Sequence, residues 1–247
     1  MIPDAAVAAR PFDAVVFDLF GTLVDEWTVE RRDRGFAGMA EALGVPVEGF
    51  TRAWRETATH RLTGGFATIE ENVADVCRRL GVDPGAERVV RAVRRRIEQM
   101  RELLTPRPEA RPAIEALRRA GHRIGLLSVC SPEVPSLWRR TEVAPLIQAT
   151  VFSSEVGLVK PDPGLYALVA GVLDVVPERC LYIGDGSFGE LTGAAAAGMT
   201  PVLIRAPHED GQVIERVGDD VDWVGPGIDF LGEVVRVAAE LSPPGTP

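Results

Sequence analysis

The chain has 247 residues, 46% of them hydrophobic and 26% charged, a length between one and two average domains and a composition too apolar for disorder. Its 36 acidic and 27 basic residues give a net charge of −9, which repels a phosphate backbone and argues against a nucleic-acid partner. The longest uncharged apolar stretch, Leu191 to Ile204, covers 14 residues, short of the ~20 that span a bilayer, so no membrane association is expected.

The first apolar run, Ala14 to Phe17, is closed by Asp18 and reads as a strand of a buried parallel sheet. Between Asp18 and Ile124 lies a long stretch with no convincing strand. It reads as four helices: Glu26 to Leu43, stopped by Gly44; Val47 to Leu62, stopped by Gly64-Gly65; a helix to Leu80 capped by Thr68; and Pro84 to Leu104. Thr68 followed by Glu71 is a capping-box pattern. Trp27, Trp54 and Phe66 are expected in the core of this bundle, and Arg61 with the Gly64-Gly65 turn is expected to reach out of it as a specificity loop. His60, His122 and His208 have no ligand partners nearby in sequence and read as surface or loop residues.

Four further runs follow at spacings that fit one crossover helix each: Ile124 to Ser128, Ala149 to Phe152, Cys180 to Ile183 and Pro201 to Ile204. A weaker sixth is Val221 to Val224. The expected fold is α/β, a Rossmann-like doubly wound parallel sheet (residues 1–23 and 105–247) interrupted by a four-helix domain (24–104). The inserted segment holds 14 acidic and 14 basic residues, so the whole −9 falls on the rest of the chain. Three widely spaced cysteines, Cys77, Cys130 and Cys180, suit neither a disulfide framework nor a zinc cluster. Asp4, Arg10 and Asp13 break up the N-terminal stretch a signal peptide would need, and a cytoplasmic location is expected.

In an open parallel sheet the loops at the carboxyl ends of the strands converge on one crevice. Asp18 closes the first run within Val16-Phe-Asp-Leu-Phe-Gly-Thr-Leu23, where Gly21 allows close backbone approach and Thr22 offers a hydroxyl. Ser128 closes the second. Lys160, the single lysine among the 27 basic residues, follows the third in Gly157-Leu-Val-Lys-Pro-Asp-Pro163, where a compact ammonium suits a site better than a surface. Asp185 closes the fourth in Ile183-Gly-Asp-Gly-Ser-Phe-Gly-Glu190. A nucleophilic carboxylate, hydroxyls, an ammonium and a second carboxylate suit phosphoryl transfer through an aspartyl-phosphate. Two carboxylates facing an anionic substrate call for a divalent cation, and oxygen donors suit Mg²⁺. Gly184 to Gly189 also matches G-x-G-x-x-G after a strand, but Asp185 would then face a pyrophosphate.

These four segments, in this order, resemble the four motifs of the haloacid dehalogenase superfamily, and the helical insertion after the first is similar to that superfamily's cap. The resemblance covers residues 12–205. It implies that Asp18 is the nucleophile, that Thr22 and Ser128 bind the transferring group, and that Lys160 neutralises its charge. It further implies Mg²⁺ held by Asp18, Asp185 and the backbone carbonyl of Phe20, with Glu190 behind the ion or reaching it through water. One position departs from the superfamily's phosphatases: they carry an aspartate as general acid and base two residues after the nucleophile, and this chain has Phe20. Such help is typically worth ~10²–10⁴-fold, most for poor leaving groups. The leading expectation is a Mg²⁺-dependent phosphatase acting on a small anionic, phosphorylated metabolite. The alternatives are a metal-independent 2-haloacid dehalogenase-like hydrolase working through an Asp18 ester, which Phe20 favours, and a catalytically weak binding or regulatory module. Phosphonate cleavage would need a lysine in the insertion, and none precedes Lys160.

Overall fold

The computed structural model describes residues 10–205, 220 and 222–243. In chain order these form β1 (Ala14–Phe17), α1 (Val29–Leu43), α2 (Val47–Glu56), α3 (Ala58–Leu62), α4 (Ile69–Arg79), α5 (Ala86–Leu103), α6 (Ala110–Arg119), β2 (Arg123–Ser128) and α7 (Val134–Trp138). They continue with β3 (Ala149–Phe152), α8 (Ser153–Val156), α9 (Pro163–Val172), β4 (Cys180–Gly184), α10 (Glu190–Ala196), β5 (Thr200–Ile204), β6 (Gly227–Ile228) and α11 (Val234–Glu240). His208 lies outside the described residues.

The six strands make one parallel sheet in the order β3-β2-β1-β4-β5-β6. Every residue of β1 is buried because both faces of the sheet are covered, which is why the strand reads as an unbroken apolar run. Successive side chains point to opposite faces. Val15, Phe17, Ile124, Leu126, Leu181 and Ile183 pack on one side against α6 and α11. Ala14, Val16, Leu127, Val151 and Tyr182 pack on the other against α9 and α10. The chain reverses its direction of winding between β1 and β4, which are direct neighbours, so the crevice of this doubly wound sheet opens above their carboxyl ends.

The insertion after β1 has its own core, in which Phe36 and Met39 of α1, Phe50 and Trp54 of α2, and Val73 and Val76 of α4 meet Ala92 of α5. Its two connections to the sheet lie side by side: Val24 bridges Pro106, and the Arg107 amide donates to the Leu23 carbonyl at 2.9 Å. The insertion has five helices rather than the expected four. The expected helix from Val47 to Leu62 breaks at Thr57, whose hydroxyl donates to the Trp54 carbonyl at 2.8 Å, a local bond that competes with the helical ladder. The first helix begins at Val29 and not Glu26, capped by the Thr28 hydroxyl accepting from the Arg31 amide. The last begins at Ala86, because Gly85 sits at φ 77°. At Thr68 the expected box is half formed: its hydroxyl accepts from the Glu71 amide, but the Glu71 carboxylate accepts from the Ala67 amide instead.

Two further expectations need correction. The sixth strand is Gly227–Ile228, pairing with β5, not Val221 to Val224. Val221 lies outside the described residues, and Asp220 is drawn to the start of α10, where its carboxylate accepts from the Leu191 amide at 2.7 Å. His122 does lie in a loop, but it is buried, and that burial lowers its pKa. His60 is exposed, edge-on to Phe66.

Candidate active site

Because β1 and β4 run in register, Asp18 and Asp185 emerge beside each other above their ends. The Asp18 amide donates to the Ile183 carbonyl at 2.8 Å, which extends the pairing by one residue and fixes where its side chain leaves the sheet. Asp185 is held by the Ser187 amide, which donates to Oδ1 at 2.9 Å. Gly21 has φ 75°, and a β-carbon there would come within 2.3 Å of Asp185 Oδ2; only glycine lets the loop after β1 close over that carboxylate.

Lys160, four residues after α8, bridges two carboxylates. Its ammonium donates to Asp18 Oδ1 and, at 2.5 Å, to Glu190 Oε2. Glu190 is fully buried. Its Oε2 also accepts from the Tyr182 hydroxyl at 2.7 Å, and its Oε1 accepts from the Gly186 amide at 3.0 Å. Tyr166 donates to the Glu190 backbone carbonyl at 2.9 Å. The carboxylates of Asp18, Asp185 and Glu190 place oxygens within 4.8 Å of one another. A hard divalent cation fits such a donor set, with Glu190 already turned toward Lys160 and Tyr182.

The electrostatics follow from this crowding. Burial, reinforced by Asp185, outweighs Lys160 and pushes the Asp18 carboxyl up to about 6. Burial and the neighbouring Asp18 likewise raise Glu190 well above the ordinary range. Burial works against the Lys160 charge, but Asp18 and Glu190 together outweigh it and raise its pKa. At neutral pH the pocket therefore holds an ionised Asp18 next to an ammonium.

Asp18, Phe20, Lys160 and Asp185 line one cavity of about 480 Å³ between the sheet and the insertion. Thr22 and Ser128 do not line it. They sit at the ends of the first two segments, each fully buried, with hydroxyl oxygens that find no hydrogen-bond partner among the described residues. Unpaired buried hydroxyls are uncommon in folded proteins.

Sequence reasoning missed the upper half of the cavity. Trp27 is not in the bundle core; it packs edge-to-face on Phe20, with ring centroids 6.2 Å apart, and lines the cavity. Trp54 does belong to the bundle core and also reaches the cavity. Phe66 is buried, but it is not part of the insertion's main cluster. Arg61 is buried and lines the cavity as expected of a specificity residue, whereas Gly64 and Gly65 are not among the lining residues. Arg96 of α5 pairs with Glu133 beyond β2 at 2.7 Å. No local signal announces that pair, since its members are 37 residues apart. Tyr182 had a legible signal: a polar tip within an apolar strand, two residues before the glycine that ends it.

Such an arrangement, with acidic groups and one ammonium at the switch point of a doubly wound sheet and a helical insertion above them, defines a Rossmann-like α/β scaffold with an aspartate-centred site. The family profile of the haloacid dehalogenase-like hydrolases matches residues 12–198, and the chain belongs to that family. It is 33% identical over 169 residues to the glyceraldehyde 3-phosphate phosphatase of Methanopyrus kandleri, covering 67% of this chain and 70% of that protein. It is 30% identical over 228 residues to phosphatase MT3486 of Mycobacterium tuberculosis, covering 89% of this chain and 98% of the relative. In fold it is similar to the L-2-haloacid dehalogenase of Xanthobacter autotrophicus with chloropropionic acid covalently bound (TM-score 0.62, 21% identity, 94% of this chain and 100% of that one). Among the described residues no helix is long and apolar enough to cross a membrane.

Proposed function

We propose that the protein is a Mg²⁺-dependent phosphatase acting on a small phosphorylated metabolite through an aspartyl-phosphate on Asp18. The observation that carries this reading is the convergence of Asp18, Asp185 and Glu190 within 4.8 Å, an acidic cluster that repels a phosphate unless a cation lies between them. Asp18, Asp185 and the Phe20 carbonyl would hold Mg²⁺, which when bound neutralises the carboxylates and draws charge from the phosphoryl oxygens. An Asp18 oxygen attacks phosphorus, the bond from phosphorus to the leaving oxygen breaks, and the leaving group departs with the electron pair. Lys160, which lines the cavity, meets the charge on the transferring group, whereas the buried Thr22 and Ser128 hydroxyls would have to turn toward the cavity to reach it. Water then attacks the phosphorus of the acyl-phosphate, the bond from phosphorus to the Asp18 oxygen breaks with its electron pair restoring the carboxylate, and the proton lost by the water passes to solvent as phosphate leaves. Glu190 holds Lys160 in place, steadied in turn by Tyr182.

The test is release of phosphate from a panel of phosphate esters and acyl phosphates, with wild type and Asp18→Asn compared with and without EDTA. Loss of activity under either perturbation is expected. Activity that survives both rejects the mechanism.

Phe20 supports a second reading. Its ring packs against Trp27 where a general acid would stand, which suits attack of Asp18 on a carbon–halogen bond without metal. EDTA-insensitive halide release from 2-haloacids would decide for it.

A further inference from the structure

The cavity above Asp18 is walled by aromatic rings (Phe20, Trp27, Phe36 and Trp54) and contains an unusual cation. Arg61 is 8% exposed, and among the described residues no carboxylate pairs with it. Its Nη1 donates to the Trp54 carbonyl at 3.0 Å, the Thr57 hydroxyl at 2.8 Å and Asn72 Oδ1 at 3.3 Å, and its guanidinium lies 4.5 Å from the centre of the Trp54 ring. Three acceptors on one nitrogen and a ring beneath fix the plane of the group. Its Nε and Nη2 have no acceptor among the described residues, and the side chain borders the cavity. A buried charge with no ion-pair partner is costly; burial, with repulsion from Arg96 that Glu133 partly offsets, lowers the Arg61 pKa to about 9. Arg96 shares this wall, but Glu133 already neutralises it.

An anion presented to Nε and Nη2 removes that cost by a two-pronged, charge-assisted contact. Arg61 hangs from α3 of the insertion and Asp18 from the sheet, and Asp18 is not among the charges that bear on Arg61, so the anion at Arg61 is a different group from the phosphate at Asp18 and belongs to the leaving group. The rest of the leaving group lies among rings. Phe20 bears on the same point, because a site without an acid beside its nucleophile works best on leaving groups that need no protonation. Phenols and carboxylic acids meet that condition and alkyl alcohols do not.

We propose that Arg61 is the anchor for a second anionic group on the substrate, and that the substrate is an aryl or aromatic acyl phosphate carrying that group. This rests on the phosphatase reading for turnover, though binding of the anion at Arg61 can be measured without it. The first experiment compares kcat/KM for 4-carboxyphenyl phosphate, phenyl phosphate and glycerol 3-phosphate. Wild type is expected to prefer the carboxylated aryl ester to phenyl phosphate, and both to the alkyl ester. In Arg61→Met the carboxylated-to-plain ratio is expected to fall about ten- to a hundredfold, the worth of a hydrogen bond to a charged group. Arg61→Lys should restore part of it. A ratio taken within one variant cancels any fraction of unfolded protein. Replacing the carboxylate with a second phosphate on the ring tells whether the anchor takes either anion.

The second experiment measures binding of 4-hydroxybenzoate to Asp18→Asn by calorimetry, with and without Arg61→Met. If no phosphate ester is turned over but Arg61-dependent binding persists, the phosphatase reading fails and the anchor stands. An unchanged ratio in Arg61→Met, or 4-hydroxybenzoate binding indifferent to it, overturns the anchor. So does a ratio that collapses in Arg55→Met, an exposed arginine lining the same cavity, and not in Arg61→Met.

Discussion

The Arg96–Glu133 pair ties the insertion to the sheet, and its removal has a calculable cost. Their side chains are 6% and 2% exposed and 2.7 Å apart. Ser131 completes the unit, donating to Glu133 Oε1 at 2.8 Å and accepting from Arg96 Nη2 at 3.2 Å. The Arg96 guanidinium also lies 4.9 Å from the centre of the Trp27 ring. Arg96→Met keeps most of the apolar stem but leaves a carboxylate in a dry place, a change that costs ~3–5 kcal/mol when one partner of a buried pair is lost. At ~2–4 °C per kcal/mol for a chain of this size, the melting temperature should fall by ~6–20 °C. Glu133→Leu should cost a similar amount, with Arg96 left unpaired. The double variant should recover much of the deficit, because an apolar pair of similar volume no longer has a charge to desolvate. Urea unfolding of the four proteins gives the coupling energy directly. Additive single effects, or a loss below ~1 kcal/mol for either, would refute the reasoning. In that case the pair is wetted in solution and the insertion stands away from the sheet.

Four other outcomes follow from the site. Millimolar Mg²⁺ should raise the melting temperature of wild type, by ~5–10 °C if its concentration reaches a hundred times Kd, and Asp185→Asn should lose the effect; an equal rise in both would place the ion elsewhere. Lys160→Met removes the cation that holds the Asp18 pKa down, so the acid limb of the kcat/KM profile should move ~1–3 pH units upward, whereas a limb that stays put would mean Lys160 does not set Asp18 ionisation. In metal-free protein the folded-state Asp18 pKa of about 6 exceeds the unfolded value, so the native state holds the extra proton between the two. Stability should therefore fall as pH rises from about 4 to 6, by at most ~3 kcal/mol from this group; denaturant titration across that window checks the slope, and a rise instead would show that Asp18 is paired more strongly than it is desolvated. Phe20→Asp should raise turnover of alkyl phosphates by up to ~10²-fold while leaving aryl esters little changed, and an equal gain on both would contradict a leaving-group role for this position.

The sheet and the lower half of the site were legible because they depend on local pattern. A strand buried on both faces announces itself as an apolar run, and the polar residue that ends it can only face the crevice. Asp18 and Asp185, singled out in this way, and Lys160, singled out as the single lysine, do line the cavity, whereas Ser128 ends β2 without lining it. Helix breaks set by one side chain were less legible: nothing in Val47 to Leu62 predicts that the Thr57 hydroxyl will turn back onto the Trp54 carbonyl. Long-range pairings were not legible. Arg96 and Glu133 each look like ordinary charged helix residues, and only tertiary packing brings them together. Trp27 has the composition of a core residue and belongs to the cavity wall because the chain leaving β1 carries it back over Phe20.

The two halves of the cavity divide the work by charge. Below, Asp18 and Asp185, with Glu190 behind them, outnumber the one ammonium and reject a phosphate until a cation joins them. Above, Arg61 is a positive charge with no carboxylate in ion-pair contact among the described residues, packed against the Trp54 ring. A substrate with an anion at each end is therefore repelled at one end of the metal-free cavity and attracted at the other. This makes the order of binding a consequence of the fold: an aryl carboxylate should bind metal-free protein through Arg61 alone, whereas inorganic phosphate should need Mg²⁺ first. In calorimetry at neutral pH, 4-hydroxybenzoate affinity should be nearly independent of EDTA, and phosphate affinity should vanish with it. Were phosphate to bind equally well in EDTA, Lys160 would already outweigh the carboxylates around it, and the acidic cluster would have no need of a metal.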